Sequence, residues 1–309
     1  MALRHLVLHA CITATALCTL LACHPAGGGI PESGEQGGEV DSTLRIALLP
    51  TVEALPLYVA QAEGLFDSLG LRVELLTFQA AMDADTAFWH GTAQGLLTDG
   101  VKVALWQRDS LPVHVVLRAP LQIELIVYPG TGIKRPADLK DKIIALTRLS
   151  SLDYAADEIL QAGNLAETDL NRPQINDITL RKDMTLQGQV DGALLPQPFA
   201  AIALAHGARR VPTKGIAGHS GAALILREES GPSRAEPRLI EAYDLACERI
   251  NARGTPALAR LPLDELPPDS LFSMPTMGRA TTAPDSLNER LSQWALRREQ
   301  LLRPDNDEE

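Results

Sequence analysis

Cysteine is scarce in this sequence: four in 309 residues, at positions 11, 18, 23 and 247. The first three crowd into the N-terminal stretch, so the body holds Cys247 alone, without a partner for a disulfide. The fold of the body must therefore rest on its hydrophobic core. Cys247 ends Ala242-Tyr243-Asp244-Leu245-Ala246-Cys247, an apolar pattern with helical spacing that predicts a buried, unreactive thiol. Basic charge is also short: 28 Lys and Arg stand against 39 Asp and Glu, a formal net charge of −11, and no basic stripe interrupts that balance. This argues against nucleic acid as a partner. No long apolar run follows Asp41, so nothing in the body predicts a membrane span. Catalytic signatures are missing as well. There is no Gly-x-Ser-x-Gly elbow, no His-Glu-x-x-His and no acid pair in a distinctive context, and His90, His114, His206 and His219 lack metal-ligand spacing. No cofactor or metal is expected.

What is present begins with an export signal. Arg4 and His5 lead an apolar run from Leu6 to Leu21, too short for a membrane span, which ends in Leu20-Leu21-Ala22-Cys23. That junction resembles the bacterial lipoprotein signal. The expectation is a signal over 1–22, acylation of Cys23, and a protein exported and held by lipid to the cell membrane or outer membrane, facing periplasm or exterior. An ordinary secretory signal cut nearby is the other reading. The stretch from Pro25 to Glu39 is rich in Gly, Pro, Glu and Ser with almost nothing apolar, so 23–43 is expected to be a flexible tether. About 270 residues then remain, more than one core usually holds, and two lobes are expected on size alone.

Along the body, apolar strands and helical periodicities alternate. Leu44 to Leu49 reads as a strand, Leu55 to Leu69 as a helix ending at Gly70, Leu71 to Leu76 as a strand, Asp83 to His90 as a helix, and Gly95 to Leu97 as a strand. Val101 to Gln107 then reads as a helix and Val113 to Leu117 as a strand. A second series follows the apolar run Ile123 to Tyr128. It has a helical turn at Pro136 to Leu139, strands at Lys142 to Leu146, Ile178 to Leu180 and Val190 to Leu195, and helices at Leu152 to Ala162 and Phe199 to His206. Ala222 to Leu226 is a last strand, after which come a helix from Arg238 to Ala252, a Pro-rich stretch from Pro262 to Pro275 and an amphipathic helix from Leu287 to Leu302. This alternation means mainly parallel sheets flanked by helices, an α/β class.

Several phrases carry a family resemblance. They are Pro56-Leu57-Tyr58-Val59-Ala60-Gln61-Ala62-Glu63-Gly64-Leu65-Phe66 with Gly70-Leu71-Arg72-Val73-Glu74-Leu75, then Pro136-Ala137-Asp138-Leu139-Lys140-Asp141-Lys142, Ser150-Ser151, and Asp191-Gly192-Ala193-Leu194-Leu195-Pro196-Gln197-Pro198-Phe199. In this order they resemble the periplasmic solute-binding proteins of the sulfonate, nitrate and thiamine-precursor type, which have the type II fold and serve ABC importers. The resemblance implies two α/β lobes, 44–120 with 220–309 and 121–219. Crossing strands near Ala119 to Ile126 and Gly215 to Ala223 would join them, with a small-molecule ligand trapped in the cleft. It also implies an ABC permease and ATPase as partners, and a monomer. An enzyme of the same fold and a lipid-anchored sensor are the competing readings, because fold does not settle function.

In an open parallel sheet the loops after the strands line the crevice. The candidate ligand contacts are accordingly Thr51, Glu53, Tyr58, Gln79, Thr98, Asp99, Arg148, Ser150, Ser151, Gln197, Phe199 and His219. Most have a plainer alternative. Ser150, Ser151, Thr98 and Asp99 are equally suited to cap helices. Arg148 grips an anion or pairs with a surface acid. Tyr58 and Phe199 contact ligand or pack in the core, and His219 contacts ligand or is a loop histidine. The acids near the expected rim favour a ligand with hydrogen-bond donors or positive charge, such as an aminopyrimidine, over a bare anion.

Overall fold

The computed structural model describes residues 43–213, 220–227, 235–281 and 285–302, with the backbone alone at 285–287. All of these belong to the compact unit that begins at Asp41. The expected export signal, Cys23, the tether before residue 43 and His219 lie outside the described residues.

Two mixed sheets organise the chain into two lobes. The first is built on β1 (Leu44–Leu48), a fully apolar strand apart from Arg45, flanked by β2 (Val73–Thr77) and β3 (Gly95–Asp99), both parallel to it. The late strand β10 (Ala222–Arg227) returns to lie antiparallel between β3 and β4 (Val113–Ala119), giving the order β2-β1-β3-β10-β4. Because successive side chains of a strand face opposite ways, Ile46 and Leu48 join one core cluster and Ala47 another. On the first side lie α1 (Leu55–Ala62) and α8 (Ala235–Arg253); on the second lies α3 (Ala81–Trp89). Both faces are covered, which is why these strands read as continuous apolar runs.

The second lobe repeats the plan with β5 (Ile123–Val127), β6 (Lys142–Ala145), β7 (Leu170–Asn171), β8 (Gly192–Pro196) and β9 (Arg209–Val211), in the order β7-β6-β8-β5-β9. Its helices include α5 (Ser151–Ala162), α6 (Ile178–Leu186) and α7 (Phe199–Ala205). Pro120, Leu121 and Gln122 carry the chain from β4 into β5. Most of the other crossing segment, 214–219, is not described.

Two expectations need correction. The single helix over 55–69 is two, α1 and α2 (Leu65–Ser68), because Gly64 turns left-handed with φ of 67° and ends the first. The strand expected over Ile178 to Leu180 is the first turn of α6: the Asp177 carboxylate accepts from the amide of Leu180 at 2.8 Å and caps the helix.

The Pro-rich stretch is a strap across both lobes: Glu265 meets His206, just after α7, at 2.9 Å and Lys182 of α6 at 3.9 Å, and Leu263 packs against the core of the second lobe. Phe272 and Met277 are buried in the large core cluster, Asn251 of α8 bonds both the amide and the carbonyl of Met277, and the amide of Arg118 in β4 donates to the carbonyl of Thr281 at 2.8 Å. The C-terminal helix α9 (Asp285–Leu302) touches both lobes. Leu291, Trp294 and Ala295 pack on Val101, Ala104 and Leu105 of α4 (Gly100–Arg108), and Trp294 also meets Tyr154 of α5 edge-on.

Candidate functional site

Where the carboxyl ends of the two sheets face each other lies a cavity of about 80 Å³. Leu49, Thr51 and Glu53 follow β1, Leu97, Thr98 and Asp99 end β3, Thr147 and Ser150 follow β6, and Pro196 ends β8. This is the crevice that the topology of an open sheet provides. A depression of about 220 Å³ adjoins it, sharing Asp85, Thr147 and Asn176, and is lined by Met82, Trp106 and Arg148 among others.

Of the twelve candidate ligand contacts, six come together in the cavity wall: Thr51, Glu53, Thr98, Asp99, Ser150 and Ser151. Asp99 has the most connected position. Its Oδ1 accepts from the amides of Val101 (3.0 Å) and Lys102 (3.2 Å) at the start of α4, and also from the amide (3.0 Å) and hydroxyl (2.9 Å) of Ser151 at the start of α5. Two helix N-termini from two lobes thus share one carboxylate. Ser150 caps α5 through the amide of Leu152 at 3.1 Å and donates to the carbonyl of Thr147 at 2.6 Å. Glu53 is only partly exposed, and burial pushes its carboxyl up to about 7, with the field of Asp99 adding to the effect. Asp85 pairs with Lys102 at the edge of the cavity.

The other described candidates sit elsewhere. Tyr58 is buried in the first lobe with its hydroxyl 2.7 Å from that of Thr77, and desolvation pushes the phenol up to about 12. Phe199 is in the core of the second lobe. Arg148 faces the adjoining depression and donates from Nε and Nη2 to the carbonyl of Arg172, at 3.2 and 3.0 Å. Gln79 and Gln197 join the lobes beside the cavity: the carbonyl of Gln79 accepts from the amide of Ile178 at 3.0 Å, and that of Gln197 from the amide of Val52 at 2.9 Å. The side chain of Gln197 donates to Glu124 at 2.9 Å.

The residue that sequence reasoning missed is Arg181. It lies one turn into α6, is 1% exposed and lines the cavity. Among the described residues its acceptors are neutral, the hydroxyl of Thr147 (3.2 Å) and the carbonyl of Ile175 (2.5 Å), and its Nε has no acceptor. Desolvation pulls the guanidinium down to about 10, opposed by the field of Asp177. A buried cation without an ion-paired carboxylate is costly, and its free hydrogen-bonding capacity points to an anionic or accepting group that arrives from outside.

The wall holds hydroxyls and carboxylates, and neither histidine nor cysteine lines it among the described residues. Cys247 is buried in α8, and burial raises its thiol to about 12, so it stays protonated. No group of His, Cys, Asp and Glu suited to a metal ion occurs among the described residues, and no described helix is long and apolar enough to cross a membrane.

The fold has many solved counterparts. A zinc-bound ligand-binding component of an ABC-type import system from Staphylococcus aureus superposes with a TM-score of 0.70 at 13% identity, covering 85% of this chain and 94% of the other. The alkanesulfonate-binding protein SsuA from Xanthomonas axonopodis pv. citri, bound to MOPS, gives 0.70 at 18% identity over the same shares. The desulfurization enzyme DSZB gives 0.59 at 17% identity over 86% of this chain and 94% of its own. At these identities the likeness speaks for the fold, which is that of the periplasmic binding proteins. No curated protein matches the sequence. Residues 51–214, more than half of the chain, match the family described as NMT1/THI5 like, and the protein belongs to that family.

Proposed function

We propose that this protein is the exported solute-binding component of an ABC importer, tethered by a lipid on Cys23, and that it traps one small molecule between its lobes. The observation that carries the reading is the cavity at the facing ends of the two sheets, with a buried guanidinium in its wall that forms no ion pair among the described residues. The lobes are 44–120 with 220–309 and 121–219. Thr51, Glu53, Thr98, Asp99, Ser150 and Arg181 hold the solute; Ser151 positions Asp99. Closure is a population shift driven by contacts that the solute makes to both lobes at once. A permease and ATPase receive the closed form, and the binding protein works as a monomer.

The test is thermal unfolding of the purified protein against a panel of aminopyrimidines, thiamine, alkylsulfonates, nitrate, bicarbonate, amino acids and aromatic acids. A solute at 100 times its Kd adds about 2.7 kcal/mol, a shift of a few degrees for a chain of this size. A hit without turnover supports solute capture, and silence across the panel rejects it. Acylation at Cys23 is read by metabolic labelling with palmitate, which Cys23→Ser abolishes. An enzyme of the same fold is the second reading, favoured by the Glu53 carboxyl, which is placed near neutrality as a general acid or base would be. Turnover of a hit would establish it.

A further inference from the structure

The charges of the cavity are divided between the lobes. The first lobe contributes Glu53, Asp99 and Asp85, of which, among the described residues, only Asp85 has a cationic partner, Lys102. All the bonds that the Asp99 side chain accepts among the described residues fall on Oδ1. The second lobe contributes Arg181, with two neutral acceptors and an unsatisfied Nε. Much of the rest of the wall is apolar, with Leu49, Leu96, Leu97, Leu121, Leu152 and Ile178 in it.

Resting on the solute-capture reading, we propose that the solute is a compact zwitterion whose anionic group sits on Arg181 in the second lobe and whose ammonium group sits against Glu53 and Asp99 in the first. A bare anion satisfies Arg181 but leaves its own charge beside two acids. A bare cation suits the acids and leaves the guanidinium unpaired. A neutral ring with donors and acceptors compensates neither pole. A zwitterion matches both and draws the lobes together, and a short methylene link fits the apolar part of the wall. Glu53 provides a further signature. Its carboxyl stands near half protonation at neutral pH in the empty cavity, and an ammonium group beside it favours the ionised form, so binding releases protons.

The experiment is calorimetry on the full-length protein with matched probes: glycine, β-alanine, 4-aminobutanoate and 2-aminoethanesulfonate, against propionate, ethanesulfonate, propylamine and 4-aminopyrimidine. At least one zwitterion is expected to bind tenfold or more tighter than its matched anion and amine, with proton release at pH 7 detected as a dependence of heat on buffer ionisation enthalpy. Arg181→Gln is expected to abolish that binding with the circular dichroism spectrum unchanged. If it fails to fold, Arg181→Lys is expected to weaken binding while keeping the preference for zwitterions. Glu53→Gln is expected to remove the proton release and bring the matched anion within a few-fold of the zwitterion. An anion, an amine or the aminopyrimidine binding as tightly as every zwitterion would overturn the zwitterion while leaving solute capture standing. The same holds if Arg181→Gln binds unchanged. No binding here or across the broader panel would remove both.

Discussion

Glu53 ties the site to pH through the stability of the whole chain. Its carboxyl stands at about 7 in the folded protein, and an unfolded glutamate ionises near 4.3. Below about pH 4 both states carry the proton and the group contributes no difference. Between the two values the folded state holds a proton that the unfolded chain has released, so this group's contribution to stability falls as pH rises and levels off above 7. Glu53→Gln is therefore expected to gain stability relative to the native protein at pH 8 and little at pH 5, as read from urea midpoints at the two pH values. Gly100 is a second residue whose chemistry is set by its surroundings. A Cβ there would lie 1.9 Å from the carbonyl oxygen of Ser220, and its amide donates to the carbonyl of Gly221 at 2.9 Å. Gly100→Ala forces backbone from backbone where the chain returns to the first sheet, and is expected to cost about 1 to 3 kcal/mol in urea unfolding.

At the scale of elements, α6 and α9 decide how far the sequence could be read. Most strands and helices follow from apolar runs and periodicity, because both faces of each sheet are buried and the runs are uninterrupted. Ile178-Thr179-Leu180 has the composition of a short strand; on that reading Arg181 follows a strand end, the class of position that lines the crevice, yet it is not among the candidates. The helix signal was present in another form: Asp177 as cap and Ile178, Arg181 and Thr185 on one buried stripe. A buried arginine breaks an apolar pattern, so the residue of most consequence in the cavity was also the one that disguised its helix. The six candidates that do line the cavity were legible because strand ends and helix starts fix their place. Tyr58 and Phe199 were not separable from core residues by type alone. In α9 the stripe of Leu291, Trp294 and Ala295 continues into Arg298, whose Nε donates to Asp153 at 3.0 Å and whose Nη1 reaches Glu167 at 3.3 Å. Asp153 is fully buried and also holds Arg172 at 2.7 Å. Arg298→Met leaves that carboxylate short of one partner, and the expected loss is about 3 kcal/mol, measured as a lower urea midpoint.

For the whole molecule, the question is what holds the lobes together when no solute is bound. Among the described contacts between them beside the cavity are the backbone bonds at Gln79 and Gln197, the hydroxyl of Thr179 on the Gln79 side chain at 3.3 Å, the Asn176 amide on the Met82 sulfur at 3.9 Å, and the Asp99 carboxylate on Ser151. Of these only the last involves a formal charge; farther from the cavity, Arg298 pairs with Asp153 and Glu265 with His206 across the lobes. Helix α9 adds a strap, since it packs on α4 in one lobe and α5 in the other, and opening requires it to slide on one of them. Ser151→Ala removes the hydroxyl bond to Asp99 and leaves Arg181 and Glu53 in place. A hydrogen bond to a charged group contributes about 1.5 to 3 kcal/mol, enough to lower the closed population about tenfold or more where open and closed forms are near balance. Without solute, small-angle scattering is then expected to give a larger radius of gyration for the variant than for the native protein. At saturating solute the two radii should coincide, with a weaker apparent Kd for the variant in proportion to its lost closed fraction. Equal radii without solute would mean that the lobes are held by α9 and the crossing segments, and that the shared carboxylate serves the site instead of the hinge.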